Sequence, residues 1–214
     1  MPLIGQKDAD YLRQEFADKL IDAVRLVMFT QEIECQYCRE TRQLVEEIAA
    51  LSDKIQAEVY NLVTDEQKAG EYAVDKIPAI AVVGGKDYGV RYFGIPSGYE
   101  FTSLIEDIIM VSRGDSGLSE ATRQALAGLE KPVHILVFVT PTCPYCPRAV
   151  RLAHQMAFES DLIRADMIEA IEFPHLSNKY HVHGVPRSVF NETVHLEGGV
   201  PEPLFLEKLL EAAG

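Results

Sequence analysis

The sequence predicts an α/β fold built twice, as two tandem units over residues 1–117 and 118–214, each a mixed central sheet flanked by helices. Three observations predict it. Strand-type and helix-type apolar patterns alternate along the whole chain. All four cysteines fall in two CxxC pairs, CQYC at 35–38 and CPYC at 143–146, and each pair stands where a strand-type run hands over to a helix-type run. The interval to a downstream X-Pro is the same in both halves: forty-three residues from Cys35 to Pro78 in KIPAIAV, and forty-three from Cys143 to Pro186 in GVPRSVF.

Taken in order, each half reads helix, strand, CxxC, helix, strand, helix, X-Pro, two short strands and a last helix. The strand before the cysteines is RLVMFT at 25–30 and HILVFVT at 134–140; the next is IQAEVYNLV at 55–63 and LIRADMI at 162–168. These runs are rich in Val, Ile and aromatic residues, as a pleated and half-buried surface prefers. The last helices lie in GIPSGYEFTSLIEDII at 94–109 and GVPEPLFLEKLLEAA at 199–213, each behind a turn. Adjacent final strands require an antiparallel pair beside the parallel crossovers, hence a mixed sheet. The repeat period of 105 to 108 residues is far above the roughly 20–50 of a solenoid unit and suits a duplicated domain. The segment RGDSGLSEATRQALAGLEKP at 113–132 carries the boundary, which we set at Gly117.

Formal net charge is -13, divided as -9 up to Gly117 and -4 beyond it, so neither half offers the basic surface that phosphate binding needs. Nucleic acid and anionic membrane surfaces are therefore not expected partners. No apolar run approaches the roughly 20 residues that span a bilayer. The opening MPLIGQKDADYLRQEF lacks the basic, apolar and small-residue pattern of a secretory signal, and the expected location is cytoplasmic.

The attacking species in disulfide exchange is a thiolate, and a free cysteine with a pKa near 8.5 is mostly protonated at neutral pH. Unpaired N–H groups and the positive end of the dipole at a helix start stabilise the charged form. The pattern puts Cys35 and Cys143 in the first turn. Their partners, three residues on, are within reach of a disulfide. Cys146 lies in line with Ala149, Ala153 and Ala157, and Cys38 with Val45 and Ile48, so the second cysteine of each pair points to the core. Cys35 and Cys143 are then the accessible nucleophiles, and Cys38 and Cys146 resolve the mixed disulfide.

Other readings of the same residues compete. Zinc ribbons set their CxxC pairs about 15–20 residues apart, whereas 104 residues separate these, and no metal is expected. His175, His181 and His183 suit an exposed helix end and loop. Pro78 and Pro186 on spacing alone fit ordinary strand-edge prolines as well as the rarer cis form.

With CQYC, CPYC and the matched Ile-Pro and Val-Pro in place, the chain resembles the protein disulfide oxidoreductases of thermophilic archaea and bacteria. These are cytosolic tandem thioredoxin-fold proteins akin to glutaredoxin and protein disulfide isomerase. The resemblance covers essentially the whole chain. It implies redox sites at Cys35, Cys38, Cys143 and Cys146, and cis prolines at Pro78 and Pro186. With Ile77 and Val185, those prolines would shape an edge for an extended peptide. It also implies reduction, oxidation and isomerisation of protein disulfides with no cofactor beyond the cysteines, a flavin-dependent thioredoxin reductase as reductant, and a hot source. One departure from ordinary thioredoxins is that the strand before each motif is wholly apolar, with no buried Asp to assist proton transfer; Glu40 and Glu47 are the acids considered in its place.

Two rival functions remain. One is a dedicated electron relay like the tandem module of alkyl hydroperoxide reductase systems, which keeps one CxxC of two. The other is a non-catalytic peptide-binding pair with structural disulfides. The two sites are expected to be unequal, because Glu32 and Glu34 precede Cys35 while no acid lies between Glu130 and Cys143. Arg39 and Arg42 at one site are set against Arg148 and Arg151 at the other, and Pro144 presets a helical φ behind Cys143.

Overall fold

The computed structural model describes residues 2–214. The first half runs α1 (Gln6–Lys19), β1 (Val24–Thr30), α2 (Cys38–Ala49), β2 (Ile55–Asn61), α3 (Glu66–Glu71), β3 (Ala79–Val83), β4 (Asp87–Phe93) and α4 (Tyr99–Arg113). The second repeats it as α5 (Glu120–Ala127), β5 (Val133–Val139), α6 (Cys146–Glu159), β6 (Ile163–Glu169), α7 (Pro174–Lys179), β7 (Arg187–Phe190), β8 (Val194–Glu197) and α8 (Glu202–Ala213). The order is the one the periodicity predicts. Gly117, in the left-handed region at φ 71°, lies in the connection between α4 and α5, where we propose the repeat boundary.

In each unit one strand pair is parallel and two are antiparallel: β1 runs with β2 and against β3, which turns back into β4, and β5 to β8 repeat the pattern. The joint between the units is not written in the periodicity. β4 pairs in parallel with β6, Val90 opposite Ala165 and Phe93 opposite Ile168, giving one eight-stranded sheet in the order β2-β1-β3-β4-β6-β5-β7-β8. This pairing satisfies two edges that would otherwise offer unpaired backbone groups.

Alternation along the strands divides the core in two. Val24, Leu26 and Met28 of β1 and Ile135, Val137 and Val139 of β5 face the larger helices, in one apolar cluster that runs through both units. Val27, Phe29, Leu136 and Phe138 face the opposite side, covered by the short α3 and α7 with Tyr72 and Tyr180. Each such side chain contributes about 1.5–3 kcal/mol by leaving water. On the larger side α6 covers β4, β5 and β6 together, and α4 packs along α6 across the joint. No helix among the described residues is long and apolar enough to cross a membrane.

Candidate functional site

Both cysteine pairs are closed as disulfides, Cys35–Cys38 and Cys143–Cys146, each with a Cα–Cα separation of 5.5 Å. The helices begin later than the pattern suggests. Cys38 and Cys146, not Cys35 and Cys143, are the first helical residues of α2 and α6, and the outer cysteines sit in the preceding turn. At α2 the ladder opens at Tyr37, which at φ -116° and ψ 8° accepts from Thr41 N–H, and Tyr145 holds the same place ahead of α6. Pro144 therefore belongs to the turn, and the proline at the helix start is Pro147. The electrostatic argument holds in altered form. Each outer sulfur is bonded to a sulfur on the first helical residue and so stays at the positive end of the helix.

The inner cysteines are buried as the periodicity requires, at 2% exposure for Cys38 and 0% for Cys146. The outer pair differ from each other. Cys35 is half-buried, but Cys143 is only 7% exposed, which corrects the expectation that both stay accessible. Residues 94–99 of the first unit cross the rim of the sheet to the loop that leads into the second site. Tyr99 N–H donates to Pro141 O at 3.1 Å, and Ile95 N–H donates to Glu172 Oε1 at 2.7 Å. Gly98, at φ 61°, approaches so closely that an added Cβ would stand 2.2 Å from Pro141 O.

The Ile77–Pro78 and Val185–Pro186 bonds are cis. Each proline precedes a strand antiparallel to the one leading into its CxxC, which brings proline and disulfide to the same end of the sheet. Pro78 O accepts from Gly94 N–H and Pro186 O from Gly198 N–H, both at 2.9 Å, while Ile77 and Val185 are half-buried beside them. Four strand spacings lie between β1 and β5, about 19 Å at the usual interval. The four sulfurs cannot gather round one tetrahedral ion.

The acid near the second site is one that sequence reasoning missed. Glu100, in the first turn of α4, is 2% exposed; Ser103 Oγ donates to its Oε2 at 2.9 Å, and its Oε1 has no partner. Tyr99 meets Pro141 just ahead of α6, and eight residues on Asp107 meets His154 Nδ1 at 2.5 Å, so the two helices run side by side in the same direction. At 1.5 Å per residue, Glu100 lies about 10 Å back along α4 from that contact and Cys146 about 12 Å back along α6, which sets them level. Burial pushes the Glu100 carboxyl up to about 7, against the pull of Ser103 and His154 and with a push from Asp107. In sequence, Glu100 reads as an ordinary acid at a helix N-terminus. Only the packing of α4 on α6 buries it.

Glu47, by contrast, accepts from Leu3 and Ile4 N–H groups nine residues beyond Cys38, away from the disulfide, while Glu40 is half-buried in the first turn of α2. Glu32 and Glu34 are exposed, as are His175, His181 and His183. Among the described residues the buried histidine is His154, which no motif in the sequence marks.

The geometry has close relatives. A sequence profile described as a thioredoxin domain matches twice, over residues 27–106 and 133–211. The crystal structure of a protein disulfide oxidoreductase from Aeropyrum pernix K1 superposes with a TM-score of 0.92 at 33% identity, over 98% of this chain and 94% of that one. The chain belongs to the tandem thioredoxin-domain family. The alkyl hydroperoxide reductase component AhpF of Enterococcus faecalis (C503A mutant) is a further structural relative, with a TM-score of 0.88 at 26% identity over 96% of this chain and 98% of that one. By sequence, the corresponding alkyl hydroperoxide reductase component of Pseudomonas aeruginosa PAO1 is 30% identical over 169 residues, and a Bacillus subtilis protein described as NADH dehydrogenase 26% identical over 155. These cover 78% and 72% of the chain, which in turn spans only 30% and 27% of those proteins. As a member of this family, the chain carries two thioredoxin folds on one continuous sheet, with a segment of the first unit against the loop before the second CxxC.

Proposed function

We propose that the protein is a dithiol–disulfide oxidoreductase acting on protein and peptide substrates at two sites. One observation carries this reading: twice in the chain, a CxxC disulfide at a helix start stands at the same sheet end as a cis-proline edge. The outer thiolate, Cys35 or Cys143, attacks a substrate disulfide and releases one substrate thiolate. The inner thiol, Cys38 or Cys146, then loses its proton and attacks the outer sulfur, freeing the second substrate thiolate and leaving the enzyme disulfide. Two electrons pass to the substrate, and the reverse sequence oxidises a dithiol. Ile77–Pro78 and Val185–Pro186 hold the substrate chain extended. At the second site Glu100, level with Cys146, takes the proton. Its unpartnered Oε1 is an acceptor that an S–H created by reduction can use.

The reading sets the protein in the cytoplasm with a flavin-dependent thioredoxin reductase as electron donor. A second reading, an electron relay to one reductase or peroxidase partner, is favoured by the likeness to the AhpF component of alkyl hydroperoxide reductases. Insulin reduction and refolding of a scrambled disulfide substrate, run on Cys35→Ser, Cys143→Ser and the double variant, test both. Turnover of unrelated substrates, lost only in the double variant, supports the general oxidoreductase; turnover confined to one partner supports the relay.

A further inference from the structure

The two units are joined head to tail, so what fills one side of the second disulfide is absent from the first. In the second unit, residues 94–99 lie over the end of β6 and the loop before Cys143. Gly94 abuts the Glu169 and Glu172 side chains, and Gly98 and Tyr99 abut Pro141. Glu169 closes β6 as Asn61 closes β2, and Pro141 stands in the loop that Gln31 and Glu32 form in the first unit. Beyond these counterparts no further strand lies among the described residues. β2 is a free edge of the sheet, and beside the Cys35–Cys38 disulfide there is an open cleft of about 480 Å³ lined by Gln31, Arg39, Arg42, Tyr60 and Asn61. It lies on the β2 side of the disulfide, whereas cis-Pro78 leads into β3 on the other side.

We propose that this cleft docks an extended segment of a partner polypeptide carrying an acidic side chain near its reactive cysteine. The proposal rests on the redox reading above and says which substrates the first site prefers. The chain supplies its own template: the same place in the second unit is shaped for main chain, and residues 94–99 occupy it through backbone donors at Ile95 and Tyr99. Charge selects the side chain. Arg39 is exposed and has no ion-pair partner among the described residues, and Arg42 gives its Nε to Glu46 at 2.8 Å and keeps its other donors. The acids at the cleft are Glu32 and Asp65, the latter turned to Asn61 N–H at 2.7 Å, and with Arg42 paired to Glu46 the guanidinium left without a carboxylate partner among the described residues is that of Arg39. A planar guanidinium is suited to a carboxylate. A second copy of the chain is a poor occupant: residues 94–99 are committed to the second site, and Gly199 of the matching segment stands against Tyr145 O, 3.0 Å from where a Cβ would be.

The test uses full-length proteins that keep Cys35 alone or Cys143 alone, the other cysteines replaced by serine. Cysteine peptides activated as mixed disulfides with thionitrobenzoate carry either two glutamates or two lysines beside the cysteine. The protein thiolate displaces thionitrobenzoate, one S–S bond forming as one breaks, and the released chromophore gives the rate. Cys35 should react about fivefold faster with the acidic peptide, the scale of one exposed ion pair. The ratio should fall to about one in Arg39→Glu, and half-molar salt should shrink it. Because a ratio is read, a change in the reactivity of Cys35 itself cancels. Arg39→Glu should leave the rates at Cys143 alone, showing that the fold is intact.

A ratio within twofold of one, or a preference that survives both Arg39→Glu and Arg42→Glu, overturns the proposal. So does competition by a cysteine-free glutamate dipeptide equal to that of a longer acidic peptide, which would make the cleft a small-molecule site. Absence of chromophore release from either cysteine with any peptide would instead remove the redox reading beneath it.

Discussion

Asp107 of α4 and His154 of α6 meet at 2.5 Å across the joint between the two units, both fully inside the protein, with the Tyr92 hydroxyl donating to the same carboxylate. The contact ties together helices from different repeats over one shared core. Truncating Asp107 leaves two buried polar partners unpaired, a change that costs about 3 kcal/mol or more. We expect Asp107→Ala to lower the stability to denaturant by that much while both halves still unfold in one transition. Far-UV and near-UV circular dichroism would read it, the latter through tyrosines because the chain has no tryptophan. Separate transitions for the two halves of the parent protein would show that the joint is weak.

The burial of the inner sulfurs assigns the order of attack. Cys146→Ser should accumulate a mixed disulfide between Cys143 and substrate, and Cys143→Ser should form none; Cys38 and Cys35 should behave alike at the first site. Mass spectrometry of acid-quenched mixtures gives the adduct directly. A Cys146→Ser protein that turns over a dithiol-dependent substrate as fast as the parent would reverse the assignment.

Glu100 links stability to pH in a definite direction. Its folded carboxyl titrates near 7 against 4.5 for the ordinary group, so the native state holds a proton that the unfolded chain has already lost between those values. Stability therefore falls as pH rises through that window. Glu100→Gln should raise stability by about 2–3 kcal/mol at pH 8 and change it little at pH 4. The same variant should slow the resolving step at the second site most above pH 7, where the acceptor is otherwise ionised. Denaturation and single-turnover kinetics at the two pH values separate the effects. A pH-independent stability change would mean that folding leaves the Glu100 carboxyl at its ordinary value.

The two outer thiolates should differ. Glu32 and Glu34 stand beside Cys35, whereas Glu100 and Glu172 near the second site are pushed up to about 7 by burial, and Glu169 is raised likewise, so they hold their protons over much of the range below pH 7. Cys143 should ionise at lower pH than Cys35, the gap narrowing as Glu100 loses its proton and as salt screens the exposed glutamates. Thiolate absorbance against pH on the single-cysteine proteins measures it. A Cys35 pKa at or below that of Cys143 defeats the argument.

Much of this is legible in the sequence because it is local. Period and turn chemistry mark strand, CxxC, helix and X-Pro, and the 3.6-residue repeat turns Cys38 and Cys146 inward without reference to any distant residue. The equal intervals from Cys35 to Pro78 and from Cys143 to Pro186 disclose the duplication for the same reason. The helix start lies three residues later than the pattern implies, since a turn carrying the outer cysteine ahead of the helix looks like a first helical turn in a pattern of residue types.

Tertiary structure alone decided how the units meet. No periodicity records which strand edge accepts which, so the pairing of β4 with β6 could not be read. That single pairing buries Glu100 beside the other unit's helix, joins Asp107 to His154, lays residues 94–99 against the loop before Cys143 and leaves the counterpart cleft beside Cys35 open. The sequence by itself determined two like redox motifs on two like folds. Beyond the inequality that Glu32 and Glu34 mark beside Cys35, the difference in what surrounds the two sites comes from the head-to-tail contact, because a heterologous joint must use one edge of each unit and leave the other edge bare.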